Sequence, residues 1–166
     1  MCRDKDKGIE TNMQYIVLDL EWNQAPSREK TVTTPVRLSG EIIQIGAVRV
    51  SEAGEILETL KCDVRPRHYT QMHYKIREIT GITSAQLRRG IPFETAYRQL
   101  ADFVGTDSVF LTWGPDDLPM LRTNMALYGY DTESLPRSYD LQLIFNAAHI
   151  RERRQCTLAA ALELLH

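Results

Sequence analysis

The chain contains few cysteines and no long apolar run. Its three cysteines, Cys2, Cys62 and Cys156, are odd in number and show neither Cys-x-x-Cys nor mixed Cys/His ligand spacing. This pattern argues against a disulfide framework and a zinc site, so we expect free thiols in a reducing compartment. No stretch approaches the roughly 20 apolar residues of a membrane span, and residues 1–12 lack the apolar core of a signal peptide. We therefore expect a soluble, cytoplasmic protein with no membrane partner.

The chain also lacks a strong net charge of either sign. Its 166 residues carry 20 Lys and Arg against 22 Asp and Glu, a formal net charge of −2, so no global basic field marks a nucleic-acid binder. Lysine is scarce: 5 of the 20 cationic residues are Lys and 15 are Arg. The arginine guanidinium suits bidentate contacts with phosphate better than the lysine ammonium does. This length is sufficient for one domain. We expect a disordered leader over residues 1–13 and one domain over residues 14–166.

Hydrophobic periodicity predicts an α/β domain. Residues 14–20 form an apolar run typical of a central strand buried on both faces. Residues 41–50 and 55–64 flank turn-forming residues, which predicts a hairpin, and residues 108–112 predict a later strand. Helical spacing between and after these strands predicts a mixed sheet flanked by helices. One side of a first helix is expected to carry Met72, Ile76 and Ile79. The inner face of a later helix is expected to carry Phe93, Ala96, Tyr97, Leu100 and Phe103, and a last amphipathic helix is marked by Leu158, Ala161, Leu162 and Leu165.

Two carboxylates end the first predicted strand. Asp19 and Glu21 are two residues apart, so their side chains point to the same face of the sheet. Side by side, the two charges repel each other and each loses hydration, which a divalent cation with a preference for oxygen would relieve. The alternative is a pair of edge carboxylates neutralised by an arginine such as Arg37 or Arg49. We favour the metal site.

A third acid is expected from the strand predicted at residues 108–112. Asp116 and Asp117 follow that strand at a strand-to-helix junction, which would bring them to the same edge of the sheet. Three carboxylates on adjacent strand ends can hold two divalent ions roughly 3.5–4 Å apart, the arrangement used to cleave phosphodiesters. Either acid could instead stabilise the first helical turn through the helix dipole, an interpretation that suits Asp116 better.

Four stretches of the chain together resemble the DEDD superfamily of 3′-to-5′ exonucleases. They are Asp19-x-Glu21, residues 41–48, Thr80-Gly81-Ile82-Thr83 and Trp113-Gly114-x-x-Asp117, and they occur in the family's order. The similarity is closest to the RNA-processing branch, which includes histone-mRNA and small-RNA exonucleases, and it extends from about residue 14 to the end. It implies a ribonuclease H-like fold.

The resemblance implies an enzyme that removes nucleotides from the 3′ end of single-stranded RNA or DNA. It implies two bound Mg²⁺ or Mn²⁺ ions, with Asp19, Glu21 and Asp117 as metal ligands and catalytic residues. Asp117 matches the family better than Asp116, because the family's acid falls three residues after the glycine. Glu21 would also accept a hydrogen bond from the terminal 3′ hydroxyl.

Substrate contacts are implied at three apolar positions. Ile82 would lean against the terminal base, and Leu20 and Trp22 would meet the terminal nucleotide, although residues 80–83 also fit an ordinary helix stop followed by the N-cap Thr83. The polar stretch over residues 23–39 is interpreted as a mobile loop and a possible lid. Two further alternatives stay open: Trp113 either packs or stacks on a base, and Arg151, Arg153 and Arg154 either form a solvated face or contact phosphate.

The family's last motif, a His followed about five residues later by an Asp, is not found before the final residue, His166. We expect this motif beyond residue 166, which would make the domain C-terminally incomplete. His149 and His166 lack the following acid and are interpreted as surface residues. The alternative functions are a catalytically inactive module that binds nucleic acid or protein on the same fold, and a nuclease that cuts internally.

Overall fold

The computed structural model describes residues 13–150 and 155–165. The strands are β1 (Gln14–Asn23), β2 (Glu41–Val50), β3 (Ile56–Arg65), β4 (Ile91–Pro92), β5 (Ser108–Thr112) and β6 (Ser138–Asp140). They form one sheet in the order β4-β3-β2-β1-β5-β6. β1 is antiparallel to β2 and parallel to β5, and β2 is antiparallel to β3. The predicted hairpin and mixed sheet are confirmed, with β1 as an inner strand.

Helices flank this sheet. They are α1 (Tyr74–Thr80), α2 (Ser84–Arg89), α3 (Phe93–Val104), α4 (Asp117–Leu127), α5 (Leu141–His149) and α6 (Leu158–Leu165), with short 3-10 turns at Arg28–Lys30 and Thr132–Ser134. Thr83 is the N-cap of α2, as the sequence predicted, and in the structure it forms a reciprocal capping box with Gln86. Of the helices in the described ranges, none has the length and apolarity needed to cross a membrane.

The main core lies between one face of the sheet and helices α3 and α4. Its buried side chains include Ile16, Leu18, Leu20, Ile45, Ala47, Phe93, Ala96, Leu100, Phe103, Leu118, Leu121 and Met125. A second, smaller cluster joins Ile43 to Ile82 and Leu87. The inner face predicted for α3 is confirmed, since its apolar residues recur at helical spacing and pack on the strands.

The prediction that β1 is buried on both faces is wrong. Ile16 and Leu18 are buried on the face covered by α3 and α4, whereas Tyr15 and Val17 on the other face are only half-buried and Asp19 is exposed. An apolar run shows that a strand is inner in the sheet but does not show how completely helices cover each of its faces.

The loop between β1 and β2 is anchored rather than free. Leu38 is buried, and its carbonyl accepts a hydrogen bond of 2.7 Å from the Tyr69 hydroxyl. The same hydroxyl accepts a hydrogen bond of 3.1 Å from the backbone of Val32. Asn23, where the loop begins, is also buried. These contacts hold the second half of the loop, and Asn23 holds the residue from which it starts, so the structure gives no support to a lid that is mobile over its whole length.

Two helices with a predicted apolar side are covered less completely than α3. The helical spacing expected from Thr70 becomes a helix only at Tyr74, and Ile79, predicted to share one side with Met72 and Ile76, is 79% exposed. In α6, predicted as an amphipathic helix, Ala161 is buried, whereas Leu158, Leu162 and Leu165 are exposed. Helical spacing identifies a common face, but whether that face meets a partner depends on tertiary packing.

Some predictions concern residues outside the described ranges. These are the expected leader up to residue 12, the interpretation of Cys2, the alternatives for Arg151, Arg153 and Arg154, and the interpretation of His166. Cys62 and Cys156 are free and buried.

Candidate active site

β1 places Asp19 and Glu21 on the less covered face of the sheet. The two acids alternate with the core residues Leu18 and Leu20, and they lie opposite Gly46 and Gln44 of β2. Asp19 is exposed and Glu21 is half-buried. The strand periodicity therefore presents both carboxylates on one face, as the sequence predicted.

Asp117 reaches the same place from the neighbouring parallel strand. It is the first residue of α4, which follows β5, and it is 8% exposed. The backbone N–H of Leu20, between Asp19 and Glu21, donates a hydrogen bond of 2.9 Å to Asp117 Oδ1. Asp116, by contrast, is exposed and makes no side-chain cap bond. The structure thus brings Asp117, and not Asp116, to β1.

Charge and burial act together on these acids. Burial, opposed by the Leu20 hydrogen bond and reinforced by the charge of Asp19, raises the pKa of Asp117 to about 6. Burial, and then the charge of Asp19, also raises the pKa of Glu21. Both shifts mean that the site resists holding all its negative charges without a cation.

The three carboxylates are of the chemical type that binds hard divalent cations. Carboxylate oxygens are the preferred ligands of Mg²⁺ and Mn²⁺, and mutual repulsion gives three clustered acids a reason to bind one. Within residues 13–150 and 155–165, however, no three His, Cys, Asp or Glu side chains are already closed around one point. Asp19, Glu21 and Asp117 are therefore neighbours on one edge of the sheet rather than a preformed cage.

The turn before Asp117 is held from two sides. Gly114 has a φ of 105°, a conformation that favours glycine. Its carbonyl accepts a hydrogen bond of 2.9 Å from Thr112 Oγ1, and its N–H donates one of 3.1 Å to Asp140 Oδ1. Asp140 also caps α5 through the N–H of Leu143. Sequence reasoning missed Asp140 as an anchor, although its place at a strand-to-helix junction was a usable signal.

Two buried side chains hold the segment that follows β3. Glu41 is 2% exposed, and its carboxylate accepts hydrogen bonds from the backbone N–H groups of Arg67, His68 and Tyr69. Asn23 donates to the carbonyls of Tyr69 and Gln71 and accepts from the N–H of His73. Sequence reasoning missed both roles, because only the folded chain brings these backbone groups within reach.

The three predicted substrate contacts are placed differently from one another. Leu20 belongs to the main core and Ile82 to the smaller cluster, at 3% and 4% exposed, so neither side chain presents an open apolar surface. Trp22 is half-buried and packs over Gly40, where an added Cβ would lie 2.4 Å from Trp22 Cδ1. Contact of these residues with a nucleotide stays a prediction.

Trp113 has a packing role in the structure. Its ring centroid lies 5.7 Å from that of Phe145, and Phe145 in turn lies 4.6 Å from His149. The aromatic contacts fix the start of the turn that leads to Asp117. His149 is thus one end of an aromatic row along α5.

The sheet order and the position of the acids define the class of protein. A mixed six-stranded sheet flanked by helices, with carboxylates at one edge, is the ribonuclease H-like fold of exonucleases. The chain belongs to the RNase_T exonuclease family, whose model matches residues 17–166. Members of this family generally use divalent metal ions.

Individual relatives agree with this membership. The probable 3′-5′ exonuclease KapD of Bacillus subtilis (strain 168) is 27% identical over 115 residues, which are 69% of this chain and 54% of the relative. The chain therefore spans about half the length of this curated relative.

Solved structures show the same fold at lower identity. The nuclease domain of 3′hExo, a DEDDh family member, bound to rAMP has a TM-score of 0.77 and 22% identity, covering 94% of this chain and 80% of that one. Exonuclease I of E. coli in complex with a dA16 oligonucleotide has a TM-score of 0.65 and 18% identity, covering 82% of this chain and 30% of that one.

Proposed function

We propose that this protein is a 3′-to-5′ exonuclease that removes nucleotides from single-stranded RNA or DNA by hydrolysis with two divalent ions, Mg²⁺ or Mn²⁺. The single observation that carries the proposal is the Asp117 carboxylate, hydrogen-bonded to the backbone between Asp19 and Glu21. This contact brings the start of α4, which follows β5, next to the part of β1 that carries Asp19 and Glu21. Membership of an exonuclease family supports the same reaction.

Each acid has a separate task in the proposed site. Asp117 is held by Leu20 and is the most buried of the three, so it fixes the deep side of the site. Asp19 is exposed and would meet the nucleic-acid substrate, and Glu21 lies beside it on the same face of the sheet. Divalent ions held by these oxygens would supply an activated water and stabilise the charge that develops on the phosphate.

The direction and the substrate class rest on similarity. The name of the Bacillus relative specifies a 3′-5′ exonuclease. One solved structure with this fold concerns 3′-end recognition of a histone mRNA stem-loop, and another holds a dA16 oligonucleotide. These proteins act at RNA or DNA ends, and the proposal extends that property to this chain.

Oligonucleotides labelled separately at the 5′ and the 3′ end test the proposal. With Mn²⁺, a 5′-labelled single strand is expected to shorten one nucleotide at a time, whereas a 3′-labelled strand releases its label in the first step. The Asp19→Asn variant is expected to do neither. Cleavage of a circular single strand would show an internally cutting nuclease instead. Binding of the linear strands without shortening, by a chain extended past residue 166, would show an inactive binding module.

A further inference from the structure

One segment of this chain has a clear excess of positive charge. Residues 65–89, called here the basic segment, contain six Arg and Lys and one Glu, a local charge of +5 in a chain whose net charge is −2. The rest of the chain therefore carries −7. The six cations are all exposed, and within the described ranges none of them forms an ion pair. They are Arg65, Arg67, Lys75, Arg77, Arg88 and Arg89.

The basic segment starts at the edge of the sheet that carries the acids. β3 is antiparallel to β2, and β2 is antiparallel to β1, so the chain leaves β3 on the side where β1 ends. Asn23 is the last residue of β1, two positions after Glu21, and it accepts a hydrogen bond of 2.9 Å from the N–H of His73. The path from Glu21 to His73 runs along two residues of β1 and then through the Asn23 side chain, so His73 lies on the order of 10 Å from Glu21.

An aromatic pair lies at the centre of this segment. The rings of His73 and Tyr74 are stacked, with centroids 5.0 Å apart and planes at 26°. Tyr74 is 68% exposed, so its outer face is open to solvent. Lys75 Nζ lies 5.9 Å from the Tyr74 ring. An open aromatic face beside unpaired cations is the combination that binds single strands, because bases stack on the ring while cations contact phosphates.

An ordinary solvated helix surface explains these features less well. Arg88 and Arg89 lie in the last turn of α2, where the helix dipole favours cations. The helix dipole does not explain Lys75, which lies near the start of α1. It also does not explain the exposed Tyr74, whose ring stacks on His73, a residue whose N–H is bonded to Asn23 of β1.

We propose that the basic segment, with the stacked pair His73–Tyr74 at its centre, binds the part of a single-stranded nucleic acid that lies 5′ of the terminal nucleotide. The inference rests on the proposed function, and it adds the path of the strand beyond the acids. Tyr74 stacks on a base two or three nucleotides from the 3′ end. Lys75 and Arg77 contact the phosphates on either side of that base.

Binding measured without metal tests this surface separately from catalysis. Fluorescence anisotropy of a labelled 12-nucleotide oligouridylate is followed in EDTA, at several salt concentrations, for the full chain. Tyr74→Ala is expected to weaken binding at least about fivefold, whereas Tyr74→Phe, which keeps the ring, binds as the wild type does. The double variant Lys75→Ala/Arg77→Ala is expected to lower the slope of log affinity against log salt by about 1.4.

The matched control removes two exposed cations elsewhere. Arg98 lies on α3 and Arg137 immediately precedes β6, at the opposite edge of the sheet. Arg98→Ala/Arg137→Ala has the same net charge as the double variant of the basic segment, and it is expected to bind within about twofold of the wild type. Thermal unfolding of each variant separates lost binding from lost folding.

The outcomes distinguish this inference from the proposed function. Equal binding by the control and the basic-segment variants, or no binding by the wild type, would refute the proposal that the basic segment binds single-stranded nucleic acid. Nucleotide release with Mn²⁺ in that case would leave the exonuclease function in place. Binding that depends on Tyr74, Lys75 and Arg77, without any nucleotide release by a chain extended past residue 166, would support the surface and refute the exonuclease.

Discussion

Leu20 and Asp117 are joined by a hydrogen bond of 2.9 Å from the Leu20 N–H to the Asp117 carboxylate. The two residues are 97 positions apart in sequence. The bond therefore ties the start of α4 to the strand that carries Asp19 and Glu21, and it keeps a buried acid next to two others. The pH dependence expected of this protein follows from the burial of Asp117, which raises its pKa although the Leu20 hydrogen bond opposes the shift. The expected metal dependence follows from the nearness of the three acids.

The first prediction concerns the pH dependence of stability without metal. Because the pKa of Asp117 is about 6 in the folded chain, against an ordinary value of 3.8, the folded chain holds this proton more tightly than the unfolded one. The contribution of Asp117 to the free energy of unfolding is therefore fully present below pH 4 and is lost as the pH rises through 6. The substitution Asp117→Asn removes this pH dependence. The Asp117→Asn protein should be up to about 3 kcal/mol more stable than the wild type at pH 7.

Urea unfolding in EDTA at pH 4 and pH 7 checks this difference. The two proteins should have similar free energies of unfolding at pH 4, because Asp117 is then protonated and Asn keeps the acceptor for the Leu20 N–H. Asp116→Asn is the control, since Asp116 is exposed. A wild type that is more stable than Asp117→Asn at pH 7 would contradict a pKa of Asp117 that burial raises to about 6.

The second prediction concerns metal binding. Mn²⁺ at about 100 times its Kd should stabilise the wild type by about 2.7 kcal/mol, because the folded state alone brings the acids together. Asp19→Asn should lose most of this gain, whereas Asp116→Asn should keep it. Unfolding curves with and without Mn²⁺ measure the effect, and an equal gain in both variants would place the ion elsewhere.

The third prediction concerns Glu41. Its buried carboxylate accepts hydrogen bonds from three consecutive backbone N–H groups. Glu41→Gln would turn an amide donor toward these donors and should destabilise the fold by about 2 to 3 kcal/mol. Glu52→Gln, in an exposed turn, is the control, with an expected change below about 0.5 kcal/mol. Urea midpoints measure both, and equal midpoints would refute the anchoring role.

The fourth prediction concerns Gly40. An added Cβ would lie 2.4 Å from Trp22 Cδ1 and 3.0 Å from Met120 Cε. Gly40→Ala should therefore cost about 1 to 3 kcal/mol and displace Trp22, the neighbour of Glu21. Gly46→Ala is the matched control, since its Cβ would meet only Asp19 O at 3.5 Å. Thermal unfolding compares the two, and an equally stable Gly40→Ala would show that Trp22 is free to move.

The sequence predicted the sheet well, because its signals were local. The boundaries of β2 and the capping box at Thr83 follow from residues that are neighbours in the chain. Helix faces such as that of α6 were predicted less well, since spacing shows which residues share a face but not what covers it.

The candidate site could be predicted only in part. The alternation of Asp19 and Glu21 is visible in sequence, and a family resemblance selected Asp117. The anchor Asn23 could not be identified, because it bonds to backbone groups that are distant in sequence. The bond from the Gly114 N–H to Asp140 is equally distant, and only the local capping place of Asp140 was visible in the sequence. A His-x4-Asp motif beyond residue 166 stays a prediction.

The most direct test of the central claim is the rate of nucleotide release from a 5′-labelled single-stranded RNA with Mn²⁺, measured for the wild type, Asp117→Asn and Asp116→Asn. Stepwise shortening from the 3′ end is expected from the wild type and from Asp116→Asn at similar rates. A loss of at least about a hundredfold is expected for Asp117→Asn, since losing a metal ligand should cost more than losing a residue that supports one. Equal rates for Asp117→Asn and the wild type, or no release that depends on Mn²⁺, would contradict the role of Asp117 as a ligand in a metal-dependent exonuclease.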